Sequence, residues 1–492
     1  MPSLIDVTIV VVYLVVTIII GIACRGRQET EEDYFTGRGG FKNFFGSLLI
    51  GLSIAATFFS GISMLAYPSV AYKTGPSIGI AAIIMPMAGL PVLIWFIPYF
   101  LKRCGREPYE VVEREFGYPT RAMASIMFVL LRMGWMGALI FAPTAALMAA
   151  FQLHDGWFWP LVLLVGLSST FYTALGGLRG VIVTDSIQLL VMVLGILWPL
   201  IHVLTHLPVG IVESFETLQN SGRWTTINTA FSFTQEKTLW GIFFGFMVAN
   251  VGIYVADQMS LQRYMASESV KAAQQAFLIN IIGIVFVTII LTVLGLAMAA
   301  WYGPGGHIAP ENADHVFPHF VITVLPQGAP GIIFAAIIAA TMSSMTSGIN
   351  ALAGAISLDF SKPIQKHFSA EGRLKFARWL SVVIGLLATA TAGLVRSLGS
   401  IFDIAQSVIG VFLGPLLICV AFAVFQIRVG GATMIIGMIA GTAAGWCVIF
   451  SPMDSLWVAP TSAAVCALIS LSGLLFASRS IPVEVMPENE AS

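Results

Sequence analysis

Along the chain, long apolar runs alternate with short charged segments. Uncharged stretches such as Val7 to Cys24, Thr74 to Leu101, Ile404 to Ile427 and Ser455 to Ser478 each reach the roughly 18 residues that a helix needs to cross hydrocarbon. No ten-residue segment alternates apolar and polar positions as a barrel strand does, and in lipid only helices and closed barrels satisfy their backbone. The pattern therefore predicts an all-α polytopic membrane protein with about 13 transmembrane helices. They fall at roughly 4–24, 43–73, 76–101, 120–151, 157–176, 180–205, 239–262, 271–301, 328–358, 376–396, 401–426, 431–451 and 456–478. The first run follows a segment without basic residues and ends at Arg25 without a small-residue cleavage site, so it reads as a span and not as a leader.

Three spans depart from uniform apolarity. The second carries Gly51, Ser53, Thr57, Ser60, Gly61 and Ser63, and the seventh carries Gly245, Asn250, Gly252 and Asp257. Both are poorly suited to be unbroken helices. They lie five spans apart, an odd offset that makes them enter the membrane from opposite sides. Spans 2–6 and 7–11, about 43–206 and 239–426, then read as inverted repeats that each open on a discontinuous helix, the sequence pointer to a secondary transporter with a midplane site. The ninth span holds hydroxyls at Thr341, Ser343, Ser344, Thr346 and Ser347. Ala340, Ser343, Ser344 and Ser347 share one helical face. Such a face lines a hydrophilic passage or an ion site, or lets helices pack closely while hydroxyls bond their own carbonyls.

Composition agrees with membrane burial: 57% of residues are hydrophobic and 10% charged, against roughly 25% charged in soluble domains. A formal net charge of −1 gives no reason to expect a nucleic-acid partner. Five scattered cysteines without CxxC spacing imply neither a disulfide framework nor a zinc site. Of the 24 Lys and Arg, 19 lie in or beside the loops after odd-numbered spans and in the tail, four lie on the other side, and Arg132 is within a span. By the positive-inside rule the N-terminus is outside and the C-terminus cytoplasmic, in a multi-pass protein of the cell membrane. Residues 1–478 form one transmembrane domain, followed by a short acidic tail over 479–492.

Five motifs fall on these elements in order: DYFTGR at 33–38, GGLRGVIVTD at 176–185, DQMSLQRY at 257–264, the hydroxyl helix at 340–350 and GVFLGPLL at 410–417. Together they resemble the sodium/solute symporter family, which includes carriers of sugars, proline, pantothenate, sialic acid, iodide and monocarboxylates. The resemblance implies a leucine-transporter-type five-plus-five inverted repeat with flanking helices, and Na+ as the coupling ion. It implies a first sodium site from the carbonyls of Ala56, Phe59 and Ala340 with the hydroxyls of Ser343 and Ser344. It also implies a second at Asp185, Ser343, Thr346 and Ser347. A sodium ion stripped of water needs hard oxygens, and carbonyls freed where a helix unwinds supply them. A buried carboxylate such as Asp185 needs a cation or hydrogen bonds to answer it, although a carboxylate early in its helix also suits simple capping.

The solute cavity is expected between the two breaks, with Phe58, Ser60, Ser63, Arg132, Trp135, Asn250, Tyr254, Asp257 and Gln406 as candidate contacts. Asp257 and Gln258 can equally brace the broken helix. Sugar carriers of the family place a glutamate on the third span and a lysine on the eighth, and neither is here. Where sialic-acid carriers place an arginine on the fourth span this chain has Trp135. Arg132, about one turn earlier, either binds an anion or pairs within the bundle. The strings ALIFAPTAAL at 138–147 and MLAYPSVAYKTG at 64–75 look most like the branch carrying monocarboxylates, iodide and vitamins. A small organic anion such as a monocarboxylate is the expected solute; an amino acid, sialic acid or sugar is the alternative.

Other classes find less support. The enzyme signatures HExxH, GxSxG and the P-loop are absent. A sodium channel would also use hydroxyl-lined helices, but two broken helices favour alternating access. A sensor fused to a kinase is not expected, because fourteen residues follow Ser478. The lipid bilayer and the co-transported solute are the expected partners, with no obligate protein partner. His315 and His319, at i, i+4 beside Glu311 and Asp314 in an outer segment, have metal-like spacing, which a solvated amphipathic segment also shows.

Overall fold

The computed structural model describes residues 3–23, 30–36, 43–103, 107–207, 211–220, 227–303, 307–357, 368–395 and 401–477. Its main helices are α1 (Leu4–Ala23), α2 (Asn43–Phe58), α3 (Gly61–Thr74), α4 (Ala81–Pro91, continued through Val92–Phe96 to Arg103), α5 (Tyr118–Ala150) and α6 (Phe158–Thr205). Then come α7 (Leu239–Val255), α8 (Gln258–Met265), α9 (Val270–Trp301), α10 (Ala329–Ala355), α11 (Ala370–Val395), α12 (Ile401–Val424), α13 (Gly431–Ile449) and α14 (Val458–Ala477). No strand occurs among the described residues. Among the described residues, ten helices are long and apolar enough to cross a membrane, or up to eleven if α7 and α8 form one bent span. The expected thirteen differs because Gly61–Arg103 and Asp155–Thr205, at 43 and 51 residues, each run through what the hydropathy pattern divides.

Those two stretches turn without a loop. Within α6 the change of direction is confined to Gly177, whose φ of 55° lies in the left-handed region that glycine adopts without penalty. A Cβ there would also stand 2.7 Å from the Tyr34 ring. Between α3 and α4 a 3₁₀ turn over Gly75–Ile80 does the same work.

The hydroxyl helix α10 is the axis of the bundle. Every residue from Ala329 to Ala355 except Ile332 is buried, with α6, α5, α1, α11 and α2 packed around it. Apolar side chains such as Val11, Leu190, Leu194, Ile282 and Ile436 face outward, as lipid requires. A helix with five hydroxyls at the centre, and pure hydrocarbon at the rim, is the reverse of a soluble bundle. Asp6 of α1 fastens the N-terminal end of α10: its Oδ1 accepts from Gly328 N at 3.0 Å and Gly331 N at 2.9 Å, two of the amides a helix start leaves without partners.

Both expected breaks are present. The first separates α2 from α3 at Phe59 and Ser60, and Ser60 Oγ caps α3 by accepting from Ser63 N at 3.3 Å. The second separates α7 from α8 with a 44° bend, and Asp257 Oδ1 caps α8 by accepting from Met259 N at 2.9 Å. Gly61 sets how closely the first break approaches α10: a Cβ there would lie 2.2 Å from Thr341 Oγ1 and 3.0 Å from Ile337 O.

Candidate functional site

A helix that ends leaves its last carbonyls without intrahelical donors, and in a dry interior each must find another. At the end of α2 the donors come from α10. Ser343 Oγ donates to Ala56 O at 2.9 Å and to Ala340 O at 3.0 Å, and Ser344 Oγ donates to Thr57 O at 2.7 Å. Ala56, Ala340, Ser343 and Ser344 of the expected first site are thus brought together, all buried. Phe59 lies buried at the break itself, and its carbonyl makes no hydrogen bond with α10 among the described contacts. Thr57 O is an addition that the sequence reading did not name. Oxygens of this kind, uncharged and convergent, suit a monovalent hard cation.

Asp185 of α6 is fully buried and adjoins this cluster through Thr57. Ser347 Oγ donates to its Oδ2 at 3.1 Å. Ser343 and Thr346, the other expected members, do not reach it: Ser343 is engaged at the break and Thr346 Oγ1 donates to Ser343 O at 3.1 Å. Two hydroxyls from α2 take their place, Ser53 Oγ at 2.8 Å and Thr57 Oγ1 at 3.3 Å from Oδ2. Arg263 of α8 joins them, 3.4 Å from the same oxygen. Hydropathy ends the seventh span at 262 and so counts Arg263 as a cytoplasmic loop charge, whereas the residue is 2% exposed. The available signals were the i, i+4 spacing of Ser53 and Thr57 and the arginine inside DQMSLQRY.

An internal cavity of about 120 Å³ lies between the breaks. Ser63, Arg132, Trp135, Asn250, Asp257 and Gln406 line it, with Tyr67, Phe246 and Phe402. Ser60 and Tyr254 are not in its wall: Ser60 caps α3, and Tyr254 stacks edge-on against Phe277 at 4.9 Å. The side chain of Phe58 lies outside the described residues. Asn250 Nδ2 donates to Phe246 O at 2.7 Å. Arg132 pairs with Asp257, so Asp257 both braces α8 and neutralises the arginine. The Nε of Arg132 is buried with no acceptor among the described residues.

The segment with His315 and His319, between α9 and α10, is tied to neighbouring helices. Asp314 Oδ1 accepts from Ser69 Oγ at 2.8 Å, and His319 Nδ1 lies 2.9 Å from Tyr302 Oη. No group of three His, Cys, Asp or Glu side chains placed to hold a metal occurs among the described residues.

Known proteins resemble this chain in sequence and shape. The sequence model of the sodium:solute symporter family matches residues 34–441. The sodium/sialic acid symporter NanT of Aliivibrio fischeri is 29% identical over 437 residues, which is 88% of this chain and 85% of that protein. Human sodium-coupled monocarboxylate transporter 2 is 28% identical over 453 residues, 89% of this chain and 72% of that protein. The substrate-bound, outward-open structure of a Na+-coupled sialic acid symporter superposes with a TM-score of 0.85 at 26% identity, covering 96% of this chain and 98% of that one. The fold is of the leucine-transporter type.

Proposed function

The chain belongs to the sodium:solute symporter family and couples solute movement to Na+ across a membrane, and we propose that its solute is a small organic anion such as a monocarboxylate, imported by alternating access. In this reading the first sodium ion is held by the carbonyls of Ala56, Phe59 and Ala340 and the hydroxyls of Ser343 and Ser344. The observation that carries it is the pair of contacts from Ser343 and Ser344 to Ala56 O and Thr57 O. Each hydroxyl can rotate its proton away and present a lone pair to a cation beside the same carbonyl. A second ion is held at Asp185 with Ser347 and Thr57, the hydroxyls that bond the carboxylate here, whereas Ser343 and Thr346, expected in its set, bond elsewhere.

The solute reading rests on size and on one donor. A volume of about 120 Å³ lies below the roughly 300–1,000 Å³ of pockets for drug-sized ligands, which favours a few-carbon acid over a sugar acid. Arg132 Nε, buried and without an acceptor, costs free energy until something accepts from it, and a carboxylate does so well. Ser63, Trp135, Asn250 and Gln406 would orient the rest of the solute. Residues 1–478 act as one domain, with repeats over about 43–206 and 239–426 that each open on a broken helix. The N-terminus is placed outside and the C-terminus inside, in the cell membrane.

Two sodium ions would each contribute about 2.3 kcal/mol per 100 mV and about 1.4 kcal/mol per tenfold gradient. That is enough for about 10⁵-fold accumulation of a neutral solute, reduced for an anion by its own passage through the potential. Counterflow in proteoliposomes, with Na+ or choline outside and a panel of monocarboxylates, amino acids, sialic acid and sugars, tests the proposal. Sodium-dependent exchange of a short-chain carboxylate is the expected result. Exchange of sialic acid or a sugar alone overturns the solute assignment.

A further inference from the structure

The cluster at Asp185 contains a positive charge that the ion sites above leave unused. The guanidinium of Arg263 reaches Asp185 Oδ2 at 3.4 Å and donates to Thr57 Oγ1 at 2.8 Å and to Ser347 Oγ. Ser53 Oγ lies 3.4 Å from its Nε. Ser53, Thr57 and Ser347 are the three hydroxyls that also bond Asp185 Oδ2. One carboxylate and three hydroxyls therefore converge on one guanidinium, all of it buried. The other carboxylate oxygen, Asp185 Oδ1, has no hydrogen-bond partner among the described residues.

We infer that Arg263 is a tethered counter-cation of the second ion site: its guanidinium and a sodium ion are alternative partners of Asp185, Thr57 and Ser347. The inference rests on the proposed second sodium site. The same oxygens that serve a hard cation are used here as acceptors for N–H groups, so the guanidinium charge stands where the ion would bring its own. Two cations about 4 Å apart at an effective dielectric near 20 repel strongly enough to weaken ion binding by about a thousandfold, so joint occupancy is excluded. Arg263 also donates to Met259 O at 2.8 Å, which anchors its stem to α8, the half-helix after the second break. Ion entry at Asp185 then requires the α8 side chain to withdraw, and its return expels the ion. Sodium occupancy between the repeats is in this way linked to the position of the second broken helix.

Sodium titration of the purified full-length protein, read by equilibrium ²²Na+ binding and by sodium-dependent thermal stabilisation, tests this. Arg263→Gln, which deletes the competing charge, is expected to bind the second ion about tenfold or more tightly. Its stability should depend far more steeply on Na+ than that of the parent, because the ion now replaces the missing charge. Arg263→Lys, which retains the charge, should leave the affinity near the parent value. Unchanged or weaker sodium binding in Arg263→Gln overturns the inference, and so does a variant that cannot be purified even in high Na+. Asp185→Asn separates this from the underlying site. If it lowers the sodium Hill coefficient to that of a single ion while Arg263→Gln does nothing, the site stands and the counter-cation falls. If Asp185→Asn leaves the Hill coefficient unchanged, the second site itself is wrong, and the counter-cation falls with it.

Discussion

The two broken helices answer the same problem in opposite ways. At the first, the freed carbonyls of Ala56 and Thr57 are met by Ser343 and Ser344 of a different helix. At the second, Ser260 Oγ donates to Ile253 O at 2.7 Å, Tyr264 Oη to Tyr254 O at 3.1 Å and Tyr109 Oη to Ala256 O at 2.7 Å. Serine hydroxyls on a facing helix can be surrendered to an ion at the cost of a rotation. Tyrosines that reach around a bend act as struts, and replacing them would move the backbone. Two breaks related by the proposed repeat have therefore diverged, one toward holding a cation and the other toward holding its own shape.

The comparison breaks most visibly at the first helix. Replacing Ser343 and Ser344 together by alanine removes two ion ligands and strands two buried carbonyls, each loss worth about 1.5–3 kcal/mol where a charge is involved. The sodium concentration for half-maximal uptake should rise by about a hundredfold or more. Uptake whose sodium dependence matches the parent protein would mean that these contacts are packing and nothing else.

A smaller and different loss is expected at the second helix. Tyr109→Phe leaves Ala256 O without its donor, which costs about 1–3 kcal/mol of stability. Thermal unfolding in detergent should shift downward while the sodium half-saturation stays within about twofold, a change of under about 0.5 kcal/mol. If Tyr109→Phe moves sodium dependence as far as Ser344→Ala does, the two breaks are not functionally distinct.

This division of labour was only half legible in the sequence. Clustered Gly, Ser and Asn positions marked both breaks, because a helix interrupted in lipid must be written in residues that tolerate or satisfy a freed backbone. Hydroxyls at helical spacing marked the face of α10 for the same reason. The partners across space were less accessible. Ser53 and Thr57 looked like part of the break and prove to be ligands of Asp185, and Arg263 looked like a loop charge because hydropathy cannot distinguish an arginine at an interface from one facing a buried acid. Tyr109 lay in an amphipathic segment between spans, where nothing local announces a carbonyl 147 residues away. The division between the fifth and sixth spans, at 177–179, was legible: it falls at Gly177, where a single left-handed glycine turns the chain without a polar loop.

The smallest effect sharpens the picture of the second helix at its N-terminal end. Lys237, immediately before the Thr238 cap of α7, bonds Asp403 of α12 at 3.0 Å and Asp454 of the loop before α14 at 3.2 Å. It also lies 4.9 Å over the ring of Phe402, which lines the central cavity. Burial opposes its charge, but Asp454 and Asp403 outweigh that and hold the amine above its ordinary value. A raised amine contributes stability that is fully present below the unfolded value of roughly 10.4 and is lost as pH rises through the higher folded value. The tie should therefore hold through neutral pH and yield only in strong alkali. Asp403→Asn removes the more exposed of the two carboxylates and should cost no more than about 1 kcal/mol at neutral pH. Its alkaline loss of stability should begin at lower pH than in the parent, because the amine keeps only Asp454 to raise it. Coincident alkaline transitions in parent and variant, followed by thermal unfolding from pH 8 upward, would show that Asp403 does not fasten the N-terminal end of α7. The second helix would then be braced at its bend alone.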